Sequence, residues 1–198
     1  MENGETVKVP MMTIESENFK YGYARDLNTY VLELPYKGLE LSMVILLPGG
    51  GNDVGKLGKA LTADDLMNPQ RFYSSRVHDV IVYLPRFKLK DRFNAASTLS
   101  KMGMVDAFGG RADFSGMTGS KGLRIGKVVH QSFIEVNEEG SEAAAATAVV
   151  MGESGGLGGP PVFRADRPFL FYILHKESKS VLFFGKFSKP ADKALPEE

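Results

Sequence analysis

The sequence predicts an α+β fold in which strands outnumber helices. Short apolar runs, several alternating with polar residues, recur between Pro/Gly turn signals. Two stretches only place apolar residues at helical spacing. No repeat or linker divides the 198 residues, of which 43% are hydrophobic, so the chain reads as one unit over 1–198.

Tyr30 to Leu34 reads as a strand, Pro35-Tyr36-Lys37-Gly38 as a turn, and Leu39 to Leu47 as a second, mostly buried strand ending at Pro48-Gly49-Gly50-Gly51. Asp53 to Leu66 is helical, with Val54, Leu57, Leu61 and Leu66 on its apolar side, and Thr62-Ala63-Asp64-Asp65 opens a second short turn of helix. Val77 to Leu89 is extended, and Pro85 inside it predicts an edge or a break because proline cannot donate to a ladder. Asn94 to Met102 is helical and stops at Gly103. Leu123 to Val136 is a long extended candidate. After a Gly/Pro-rich stretch, Gly152 to Pro161, two apolar strands close the chain, Phe169 to Leu174 and Val181 to Phe187, with Lys176 to Lys179 as their turn. The polar tail from Pro190 to Glu198 is expected to fray.

Composition narrows the chemistry. The 24 basic and 24 acidic residues cancel, which predicts neither nucleic-acid nor membrane capture; the basic residues read as a solvated face. There is no cysteine, hence no disulfide, thiolate nucleophile or cysteine-bound metal. The three histidines lack metal-ligand spacing, and Gly49-Gly50-Gly51 and Gly155 to Gly159 lack the Lys-Ser/Thr of a phosphate loop. No metal, cofactor or enzyme activity is therefore expected. Met1 to Thr6 is acidic and polar, unlike a signal peptide, and no run reaches the roughly 18 apolar residues of a membrane span.

Gly140 to Val150 stands apart. Four successive alanines after Glu138-Glu139-Gly140-Ser141-Glu142 favour helix by propensity. As a strand, the same residues place Ser141, Ala143, Ala145 and Thr147 on one face and Glu142, Ala144, Ala146 and Ala148 on the other. The first face is small and uncharged and fits between existing strands; the one charge, Glu142, lies opposite. Both readings, a short alanine helix and a segment able to enter a sheet, stand on these residues alone.

Val136 to Thr147, with Glu138, Glu139, Gly140, Ser141, Glu142, Ala143, Ala144, Ala145, Ala146 and Thr147 as its core, resembles the hinge of inhibitory serpins. Other segments resemble the family in its order: Val7-Lys8-Val9-Pro10-Met11-Met12, Leu32 to Tyr36, Leu41 to Pro48, Leu84-Pro85-Arg86-Phe87, Leu99 to Phe108, Ala112 to Gly116, Val129-His130, Ala165 to Phe171 and Phe183 to Phe187. The resemblance covers the C-terminal portion of the serpin fold: mixed sheets, a few helices and an exposed reactive loop, here over 140–163.

That resemblance implies an inhibitor of serine-type proteases acting as a suicide substrate, with no catalytic residues of its own. A protease serine attacks the bait carbonyl, and the cleaved loop then inserts into the main sheet. The family places the bait bond about fourteen residues after the hinge glycine, which gives Ser154 with Gly155 after the cut. Counting back from Pro168 gives Ser154 again or, for a shorter loop, Leu157; Met151 is a further alternative. No Lys or Arg lies between Gly140 and Arg164, so an elastase- or chymotrypsin-like target is expected over a trypsin-like one. Arg86 and Glu138 match the family's basic–acidic pair at the top of the main sheet, although by residue type alone they are solvated surface charges. His130 matches the histidine of its shutter region. The resemblance implies an extracellular protein, with the cytoplasm as alternative, and leaves glycosaminoglycan binding unknown because that site lies in the other half of the family's fold. The strands on the far side of the insertion site are likewise not encoded in these residues, which makes a non-inhibitory or inactive truncated serpin, acting only as a binding protein, the alternative function. Five glycines among residues 152–159 make an unusually flexible bait.

Overall fold

The computed structural model describes residues 6–50, 53–73, 78–138 and 160–189. In chain order the elements are β1 (Met11–Ala24), β2 (Thr29–Pro35), β3 (Leu41–Pro48), α1 (Val54–Ala60), α2 (Ala63–Met67), a 3-10 turn (Pro69–Phe72), β4 (His78–Pro85), β5 (Phe87–Asn94), α3 (Ala96–Lys101), a second 3-10 turn (Asp106–Phe108), α4 (Ser115–Thr118), β6 (Val129–Val136), β7 (Val162–Arg164), β8 (Phe169–His175) and β9 (Ser180–Phe187). They gather into two compact units, residues 88–135 and the rest of the chain.

In the larger unit, seven strands run in the order β7-β4-β1-β2-β3-β8-β9. β1 is the splice. Its first part pairs with β4, from Met11 opposite Pro85 to Ser16 opposite Val80, and after a register shift its last part pairs with β2, from Lys20 opposite Glu33 to Ala24 opposite Thr29. The family resemblance over Val7 to Met12 reaches only the first two residues of β1; the rest has no signal of its own because Glu15-Ser16-Glu17-Asn18 interrupts its apolar pattern where the pairing partner changes. The β2–β3 and β8–β9 hairpins lie where alternation and turn signals place them. The first turns on Gly38 and Leu39, both at positive φ (85° and 62°), and closes with Tyr36 N–H donating to Leu41 O at 3.0 Å.

Every residue of β3 after Leu41 is buried, so both faces of the sheet carry a core. On one face Val31, Val44, Leu46, Leu170, Tyr172 and Leu174 pack with Val54 and Leu57 of α1 and with Phe72. On the other, the rings of Phe87, Phe169, Phe171 and Phe187 cluster with centroids 5.0–6.4 Å apart. α1 and α2 begin at side-chain caps: Asp53 Oδ1 accepts from Gly55 N–H at 2.7 Å, and Thr62 and Asp65 form a reciprocal capping box. Such caps contribute about 1 kcal/mol each.

The smaller unit pairs β5 with β6 in a two-stranded sheet and adds α3 and α4. Lys88 meets Glu135 at 2.9 Å, the Phe93 ring touches that of His130 at a tilt of 52°, and Ala95 N–H donates to Val128 O at 2.7 Å. These contacts step in opposite directions along the two strands, as antiparallel pairing requires. Only the end of the extended stretch expected over Leu123 to Val136 is a strand; residues 122–128 have no regular element. α3 ends before Gly103, whose φ of 109° suits a helix stop.

Candidate functional site

The chain leaves and re-enters the large sheet beside one strand, β4. Pro85 ends β4, and the next residue, Arg86, donates its backbone N–H to Pro10 O at 3.0 Å. The Arg86 side chain reaches Glu138, two residues past β6: Nε donates to Oε1 at 2.6 Å and Nη2 contacts the same oxygen. The Arg86 hydrogen bond holds the Glu138 carboxyl below its ordinary value of 4.5.

The return is tied to the same strand. β7 pairs parallel with β4, Val162 opposite Ile81 and Arg164 opposite Tyr83. Ile81 N–H donates to Pro161 O at 3.0 Å and Ala165 N–H to Tyr83 O at 2.9 Å. Phe163 is buried, the Arg164 guanidinium lies 4.0 Å from the Tyr83 ring centre, and Arg167 Nε donates to Pro48 O at 2.8 Å. β7 is three residues long and has no pattern of its own, so it was invisible in the sequence; parallel pairing to β4 creates it.

The structure thus brings Arg86 and Glu138 together across 52 residues of chain. The remaining hinge residues, Glu139 to Thr147, and the bait positions Met151, Ser154, Gly155 and Leu157 lie outside the described residues. His130 is exposed on β6, and what its ring touches is Phe93, centroid to centroid at 5.4 Å. Gly152-Glu153-Ser154-Gly155-Gly156 also has the Gly-x-Ser-x-Gly spacing of a hydrolase nucleophile elbow. That motif works at a strand-to-helix turn, and the Gly-Leu-Gly-Gly-Pro-Pro run that follows opposes helix formation, so the spacing carries no argument for an enzyme. Among the described residues no group of three or more His, Asp or Glu could hold a metal ion, and no helix is long and apolar enough to cross a membrane.

A buried ionic group was also missed. Glu33 on β2 is buried, its two oxygens each 3.4 Å from an ammonium, Lys20 and Lys176. Burial, then the nearby Glu33 charge, raises the Tyr73 and Tyr172 hydroxyls far above the ordinary tyrosine value. Its sequence signal was a lone acid inside the apolar run Tyr30 to Leu34.

The family model for serpins, described as serine protease inhibitors, matches residues 1–190. The chain belongs to the serpin family. Human Serpin B3 is 44% identical over 193 residues, covering 95% of this chain and 48% of that relative. Bovine leukocyte elastase inhibitor is 44% identical over 192 residues, covering 95% and 51%. The crystal structure of uncleaved ovalbumin superposes with a TM-score of 0.77 at 32% identity, over 94% of this chain and 46% of that one. The serpin fold is therefore shown for this chain, which spans about half the length of the curated relatives it matches. Relatives of this serpin are named as protease inhibitors rather than as enzymes.

Proposed function

We propose that this serpin chain supplies the bait and hinge of a suicide-substrate inhibitor of serine proteases. The observation that carries the reading is the double anchorage on β4: Glu138 is held by Arg86 just past its end, and Val162 to Arg164 pair along it. A segment fixed at both ends beside one strand is a closed excursion, the form in which a protease can be offered a peptide. Between the anchors lie Ser141, Ala143, Ala145 and Thr147, which as a strand would share one small face, and the bait positions. The protease serine oxygen adds to the carbonyl of Ser154, with Leu157 or Met151 as alternatives. The new amine, on Gly155 for a cut at Ser154, leaves with the proton relayed by the protease histidine. Insertion of the hinge then has to outrun hydrolysis of the ester. Arg86 and Glu138 mark where insertion begins, and His130 is assigned to the shutter of the same sheet.

The target is an elastase- or chymotrypsin-like protease, in keeping with the absence of Lys and Arg from Gly140 to Phe163 and with similarity to leukocyte elastase inhibitor. The extracellular expectation has no support from the relatives; similarity to Serpin B3 and Serpin B8 favours the cytoplasmic alternative, which we adopt. A second reading, a non-inhibitory binding protein, is favoured by one observation: among the described residues β6 has a partner strand, β5, on one side only.

Mixing the 198-residue chain with a leukocyte elastase or with chymotrypsin separates the readings. The inhibitor reading expects an SDS-stable acyl complex and a C-terminal peptide whose mass identifies the bait bond. Cleavage without a complex rejects it in favour of the binding protein.

A further inference from the structure

The zero net charge of the chain is the sum of two opposite parts. Residues 88–135 contain eight Lys and Arg against four Asp and Glu, a net +4; the remaining residues contain 16 against 20, a net −4. Within the positive unit Asp106 is paired with Arg111 at 2.7 Å, Asp113 with Lys121 at 3.3 Å and Glu135 with Lys88 at 2.9 Å. Among the described residues Lys90 and Arg92 have no acidic partner.

Lys88, Lys90 and Arg92 occupy alternate positions of β5 and therefore share one face, a row about 13 Å long at the usual strand rise. The Lys88–Glu135 contact identifies the matching face of β6, which carries Phe133 and Gln131 two and four residues before Glu135. All of these residues are exposed, and Phe133 leaves 55% of its surface open. Asp91 lies on the opposite face with Phe93 and His130. A row of cations beside an open aromatic ring is the combination that binds single strands: charges track the phosphates and the ring stacks a base.

We propose that this face binds single-stranded nucleic acid, with Lys88, Lys90 and Arg92 on successive phosphates and one base stacked on Phe133. A sulfated polysaccharide would use the cations and leave the ring idle. Phe133 is the observation that favours nucleic acid.

Fluorescence anisotropy of a labelled oligouridylate about 12 nucleotides long, a length within usual site sizes, tests the proposal on the full chain. Lys90 and Arg92, with Lys88 shared between a phosphate and Glu135, predict saturable binding with a log K against log salt slope between about −1.4 and −2. Lys90→Glu with Arg92→Glu should weaken binding at least about tenfold, and Lys37→Glu, in the other unit, should leave it unchanged. Phe133→Ala should weaken oligouridylate about fivefold or more while leaving heparin binding unchanged, and Phe133→Tyr should retain it. Absence of wild-type binding at about 50 mM salt, an equal loss from Lys37→Glu, or no loss from Phe133→Ala overturns it; the last outcome reassigns the face to a sulfated polysaccharide. Unchanged circular dichroism of each variant separates lost contacts from lost fold, as expected for side chains this exposed.

Discussion

The two compact units are held together by different physics. The seven-stranded unit buries apolar side chains on both faces of β3 and β8, with Val31, Val44, Ile45, Phe169 and Tyr172 at 0% exposure. In residues 88–135 not one residue is buried, and what holds the elements there is backbone pairing, local turns and surface ion pairs. Exposed ion pairs contribute about 0–1 kcal/mol each, against about 1.5–3 kcal/mol for one fully buried large apolar side chain. The stability of this chain therefore resides in the seven-stranded sheet, to which β7 belongs and beside which Arg86 holds Glu138.

Truncating a core ring in one unit and its nearest counterpart in the other gives the largest contrast. Phe171→Ala should cost about 3–5 kcal/mol in urea unfolding, whereas Leu99→Ala in the half-buried α3 should cost less than about 1 kcal/mol. Equal costs would reveal a core in residues 88–135 as strong as that of the large sheet. Native-state hydrogen exchange should agree, with the amides of β2, β3 and β8 opening only globally and those of α3 and α4 locally.

Next in size is Gly22→Ala. A Cβ there would collide with the backbone carbonyl of Phe72, which cannot move without shifting the whole turn after α2. A loss of about 1–3 kcal/mol is expected, while Gly58→Ala in α1, facing only Leu170 at ordinary contact, should be neutral or stabilising by up to about 1 kcal/mol. Thermal midpoints of the pair check this.

Glu33→Gln should cost about 1 kcal/mol. It removes a buried acceptor for Lys20 and Lys176, but both lysines keep access to water and are not stranded. Urea midpoints of Glu33→Gln and wild type measure it.

The smallest effect belongs to the exposed Arg86–Glu138 pair. Glu138 has a lowered pKa when folded, so its contribution is fully present above its ordinary value of 4.5 and is lost as pH falls through the depressed one. The stability difference between wild type and Glu138→Gln should be slight at neutral pH and vanish in acid. A difference that grows in acid would reverse the assignment.

How much could be read in advance depended on whether the cause was local. The β2–β3 and β8–β9 hairpins follow from alternation and turns, and α1 and α2 from Asp53, Thr62 and Asp65 at their starts. β1 was hidden because its two parts answer to different partners. The extended reading of Leu123 to Val136 holds as a strand only from Val129, because upstream of it the backbone makes isolated bonds, Ile125 N–H to Ala107 O and Ala95 N–H to Val128 O, rather than a ladder. At the site, Arg86 and Glu138 could be paired only through the family resemblance, since nothing local links residues 52 positions apart. Charge balance was silent in the same way, because a sum over the chain says nothing about where the charges gather.

By itself the sequence determined the α+β class, the hairpins, the helical stretch from Asp53 to Leu66 with its second turn at Thr62, and the resemblance to serpins. Those are properties of neighbours along the chain, where spacing and propensity act directly. Only the tertiary structure decided that β7 exists, that Glu138 and β7 are both held at β4, that Glu33 is buried between two lysines, and that Lys90, Arg92 and Phe133 share one open face. Each of those rests on pairing between distant segments, whose register is set by burial across the whole sheet or by cross-strand contact rather than by any local run.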